Sequence, residues 1–171
     1  IWWLILREVR KGFTLVELII VIAVIALLAA ATFVAINPAK RVGDANNAKR
    51  WSDITAIADA YNTYVADNSG TSPTTTPDIT NGVTYSIATT TGGSTLTICA
   101  ASTGNPTTTT AFLDLSALVT GGYLGQIPTD PTFSYTGDTY NTGYYFYKES
   151  SGKMIVGACE TYNTVNVEVT R

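Results

Sequence analysis

At 171 residues, 46% hydrophobic and 13% charged, the chain fits one membrane-length segment plus one small domain, with no sign of a second globular unit. It has no histidine and a formal net charge of −3, which excludes histidine-based catalysis and histidine zinc centres. Beyond Arg50 the only cations are Lys148, Lys153 and Arg171, too few for a nucleic-acid footprint.

Residues 1–6 are apolar and include Trp2 and Trp3; Arg7, Arg10 and Lys11 follow as a positive flank. Residues 13–36 then run apolar except for one ionisable side chain, Glu17. At about 1.5 Å per residue this stretch crosses a hydrocarbon core of about 30 Å, so it predicts a transmembrane helix. The basic flank orients that helix with its C-terminus outside, although Lys40, Arg41, Lys49 and Arg50 lie beyond the far end. An ionised carboxylate inside a membrane segment costs roughly 2.5–3.5 kcal/mol unless it is paired, so Glu17 is a functional-site candidate. A snorkelling or protonated glutamate in an ordinary anchor is the plainer alternative.

The run Lys11-Gly12-Phe13-Thr14-Leu15-Val16-Glu17-Leu18 resembles the processing site of bacterial type IV pilins and of type II secretion pseudopilins. The resemblance implies a cut after Gly12 by a prepilin peptidase, methylation of Phe13 as the first mature residue, and pairing of Glu17 with the Phe13 amine of a neighbouring copy. It makes residues 1–12 a leader. The apolar stretch 1–6 differs from the short polar leaders of that family, as expected where a sequence starts inside a longer leader or in a misassigned reading frame.

Downstream, Val42, Ala45, Ala48, Trp51, Ile54, Ile57 or Ala58, Tyr61, and Tyr64 or Val65 recur at helical spacing, predicting an amphipathic helix over residues 37–70. Pro38 removes a backbone donor and predicts a break, with the helix resuming by about Lys40. Asn68-Ser69-Gly70 predicts its end, Gly70 taking a left-handed cap. From Phe13 to Asn68 the helical length is about 84 Å, more than a small domain needs for itself. That excess favours packing against other copies.

Residues 71–171 turn rich in threonine, serine and glycine. Alternation over residues 83–88 and 94–99 around Thr91-Gly92-Gly93 predicts a hairpin. The threonine clusters at 74–76 and 107–110 read as exposed loops. A second hairpin is expected from residues 143–148 and 153–159, and a last strand at 165–169. Between them, Leu115, Leu118, Gly121-Gly122-Tyr123-Leu124 and Pro128-Thr129-Asp130-Pro131 resemble a turn and bend of major pseudopilins and small pilins. The major pseudopilins among them hold calcium after the bend, which the resemblance carries to Asp130 and Asp138 as candidate oxygen ligands; aspartates in such loops also serve simply as turn formers.

Cys99 and Cys159 fall one on each expected hairpin, and an oxidising outer location favours joining them. The bridge would close a loop of about 60 residues, stabilising on the order of 4 kcal/mol by chain entropy. Two buried thiols are the alternative.

The expected fold is α+β: a long N-terminal helix, half transmembrane and half amphipathic, packed on a small antiparallel sheet. No nucleophile–base arrangement or phosphate-binding glycine loop points to an enzyme. The resemblance implies a structural filament subunit, membrane-stored as a precursor and then part of a cell-surface homopolymer. A major pseudopilin and a monomeric membrane-anchored surface-binding domain are the alternatives.

Overall fold

The computed structural model describes residues 12–73, 79–89, 111–133 and 140–171. The chain forms two compact units, one running to Arg41 and the other Val42–Arg171. In the first, helix α1 (Leu15–Ile36) starts at Thr14, whose hydroxyl accepts the Glu17 N–H at 3.2 Å as an N-cap. It ends at Asn37, which takes the left-handed conformation with φ 45° and ψ 74°.

Helix α2 (Pro38–Asp67) begins at the very next residue. The break expected at Asn37-Pro38 sits on Asn37, and the helix has resumed before Lys40 as expected. Proline at the first helical position loses no hydrogen bond and biases the preceding residue out of the right-handed helical region. The Asn37 side chain accepts the Lys40 N–H at 3.3 Å, so one residue ends α1 and caps α2. At the far end Ser69 and Gly70 have positive φ, and the Gly70 N–H closes onto the Val65 carbonyl at 2.8 Å.

The sheet of the second unit has the order β2-β1-β3-β4-β5, from β1 (Thr84–Ala88), β2 (Ala111–Asp114), β3 (Asn141–Lys148), β4 (Met154–Ala158) and β5 (Glu168–Thr170). It is mixed, not antiparallel as expected, because β1 and β2 run parallel with Tyr85 opposite Ala111 and Ala88 opposite Asp114. The hairpin predicted over residues 83–99 is also corrected. Both edges of β1 are taken, by β2 and by β3, and its expected partner 94–99 lies outside the described residues. The β3–β4 hairpin forms as expected, with Lys148 opposite Met154. Helix α3 (Ser116–Thr120) is the single turn carrying Leu118.

The core lies between α2 and one face of this sheet. Ile54, Ile57, Ala58 and Tyr61 on α2 meet Tyr85, Ile87, Leu113, Tyr144, Phe146 and Val156, with Leu115 and Leu118 closing one end. Tyr61 and Phe146 hold their rings 5.0 Å apart. The first half of the expected α2 stripe is out of phase. Val42, Ala45, Ala48 and Trp51 are exposed, and Gly43, Asn47 and Arg50 are the buried positions.

Candidate functional site

The first unit presents an apolar helix with exposed side chains along its length. No residue of α1 is buried, and its 22 residues span about 33 Å. Phe13 is 83% exposed, and a Cβ on Gly12 would meet nothing within 4 Å beyond its chain neighbours. Glu17 sits in the first turn of α1, where a carboxylate faces the positive end of the helix dipole. Among the described residues no cation pairs with it. A Thr14-x-x-Glu17 spacing is itself a helix-start signal, so Thr14 was available to sequence reasoning as the cap that places Glu17. An exposed apolar surface of this extent requires a bilayer or other protein chains to cover it.

The second unit holds a polar cluster that apolar periodicity could not reveal. Arg50, 2% exposed, donates from Nε and Nη2 to the two oxygens of Asp130, the Nη2–Oδ1 distance being 3.0 Å. Its Nη2 also reaches Thr132 Oγ1, and its Nη1 donates to Asn47 Oδ1 at 2.8 Å. Asn47 exchanges two 3.0 Å hydrogen bonds with the backbone of Tyr162, whose ring lies where a Cβ on Gly43 would be. Asp130 Oδ1 further accepts the N–H groups of Thr132 and Phe133. One buried ion pair thus ties α2 to the bend at 128–133 and to the turn at Tyr162. The bend seats on Gly143, where a Cβ would approach Phe133 Cγ to 2.7 Å and where φ is +81°.

These partners bear on the calcium expectation. Both oxygens of Asp130 face a guanidinium, which occupies the place a cation would take, so the donor set does not fit a metal ion at that residue. Asp138, the other candidate ligand, lies outside the described residues. Cys159 is disulfide-bonded, and Cys99 lies outside the described residues. Next to the ion pair, Tyr144 donates its hydroxyl proton to Asp53 at 2.7 Å, and Lys49 reaches the same carboxylate oxygen at 2.7 Å. Burial, then the hydrogen bond to Asp53, hold the Tyr144 phenol well above the usual tyrosine range.

Residues 9–33 match the family model of the prokaryotic N-terminal methylation motif. The chain carries that motif. The methylation motif is the hallmark of type IV prepilin and pseudopilin-like proteins, and its matched span contains Gly12, Phe13, Glu17 and most of α1. No curated protein and no solved structure matches the chain. The methylation motif thus falls on the part of the molecule whose apolar side chains are exposed, and the sheet unit is outside it.

Proposed function

We propose that the chain is a structural subunit of a type IV pilus-like filament. It is stored in the membrane through α1, cut between Gly12 and Phe13 by a prepilin peptidase, methylated on the new Phe13 amine, and polymerised through its N-terminal helix. The observation that carries this reading is the coincidence of the methylation motif with a membrane-length helix that has no buried residue.

In this reading the 33 Å of apolar surface exchanges lipid for neighbouring subunits. That exchange costs little because both surroundings are apolar. The Glu17 carboxylate is the polar exception, and its partner is the freed amine of a neighbouring Phe13. The Val42–Arg171 unit forms the outer shell, with a Cys99–Cys159 bridge restraining its loops.

The test is to shear filaments from cells making the chain, locate its first residue by mass spectrometry and image the material by electron microscopy. Fibres built of chains starting at methylated Phe13 are expected. Uncut chains confined to the membrane would overturn the reading.

A further inference from the structure

The sheet face that packs on α2 ends in two cations where a core residue would be expected. Side chains on a strand alternate between faces, so Lys148 shares a face with Tyr144 and Phe146, both fully buried. Across the ladder Lys148 faces Met154, and Met154 exchanges a pair of 2.9 Å backbone hydrogen bonds with Arg171. One transverse row therefore reads Lys148, Met154, Arg171. Its two cations stand two strand spacings apart, about 10 Å between backbones.

Like charges on one row of a sheet face are unfavourable without an anion nearby. Asp59 supplies one for Arg171, at 3.0 Å. The Lys148 side chain has no hydrogen bond or ion pair among the described residues, and its neighbour Glu149 is engaged by Lys153. Two of the three cations beyond Arg50 thus meet at one place in an acidic chain, and one of them is unpartnered.

That place is a cleft of about 630 Å³, within the range of small-molecule sites. Val65, Ile79 and Met154 form an apolar floor, and Tyr61, Asn62 and Ser72 add hydroxyl and amide groups to the wall. The Tyr61 hydroxyl is already oriented by a 3.1 Å hydrogen bond to Ser72 Oγ.

We propose that this cleft binds an acidic sugar residue of the uronic-acid type. Its carboxylate lies between Lys148 and Arg171, its hydroxyls face Asn62 and Ser72, and the C–H face of the ring rests on Met154. A neutral sugar lacks the group that the two cations require, and a bare inorganic anion leaves the apolar floor and the hydroxyl donors unused. The site is built wholly within the Val42–Arg171 unit and does not depend on filament formation.

Saturation-transfer NMR on the full chain in detergent, with galacturonate, galactose and inorganic phosphate as separate probes, tests the assignment. Saturation of galacturonate ring protons is expected, with a Kd on the order of 1 mM, and none for galactose. Lys148→Gln should weaken binding at least tenfold. Asp59→Asn, which frees Arg171 from its competing carboxylate, should strengthen it severalfold. If Lys148→Gln lowers the melting temperature, Arg171→Gln, an exposed position, carries the same tenfold expectation. Undiminished galacturonate binding in the variants, no binding at all, equal binding of galactose, or displacement of galacturonate by phosphate at equal concentration would each overturn the proposal.

Discussion

Helix α1 and the Val42–Arg171 unit solve opposite problems with one chain. The second unit buries Ile54, Ile57, Leu113, Leu118, Tyr144 and Phe146 completely, whereas α1, richer in isoleucine, valine and leucine, buries nothing. Burying one such side chain is worth about 1.5–3 kcal/mol. The sheet unit draws that stabilisation from its own residues, and α1 must draw it from lipid or from other chains.

The contrast can be broken most directly by removing one partner. Residues 42–171 expressed alone are expected to stay soluble and unfold in one cooperative thermal transition followed by circular dichroism; aggregation or a non-cooperative melt would mean that the sheet unit depends on α1. Of similar all-or-none size is Gly12→Val, which crowds the Gly12–Phe13 peptide and is expected to leave no chains starting at Phe13 in a mass spectrum of the membrane fraction.

Within the sheet unit, Arg50→Met strands the buried Asp130 carboxylate and is expected to cost about 3–5 kcal/mol in denaturant unfolding. The double change Arg50→Met, Asp130→Leu should recover most of that loss. Gly43→Ala drives a methyl into the Tyr162 ring and should cost about 1–3 kcal/mol, a penalty largely absent in a Tyr162→Ala background.

The smallest effect concerns alkaline pH. Because the folded state holds the Tyr144 proton more tightly than the unfolded chain, its contribution is full below the ordinary tyrosine value of about 10 and falls as pH rises above it. Tyr144→Phe should therefore lose about 0.5–1.5 kcal/mol at neutral pH and show a shallower decline of stability above pH 10. An unchanged pH slope would remove Tyr144 from that role.

Much of the architecture was legible because it rests on local signals. The apolar run over α1, the glycine end of α2 and the alternation of β3 and β4 around Glu149–Gly152 each depend on residues near in sequence. What was missed depends on distant partners. Period-two alternation identifies β1 as a strand but carries no information on its neighbour, so the parallel pairing with β2 could not be read. Apolar periodicity puts α2 out of phase because Val42, Ala48 and Trp51 look like core residues and Asn47 and Arg50 do not. Only Asp130, 80 residues away, makes Arg50 an interior residue. At the N-terminus Gly12, Phe13 and Glu17 stand out in the sequence and fall within the matched motif, and the structure adds the Thr14 cap that fixes where Glu17 stands on the helix.

Asn37 also bears on how damage spreads along the N-terminal region. A helix unwinds from an end because each residue released frees the hydrogen bond of the next. Between Ile36 and Pro38 that sequence meets a residue already outside helical geometry, whose side chain serves the Lys40 N–H and whose carbonyl accepts from Arg41 at 3.3 Å. Fraying that reaches Asn37 from α1 finds no intact ladder to continue through. The residue works as a firebreak: a segment pulled out of its surroundings can lose its last turn without passing the loss on to the turn that follows.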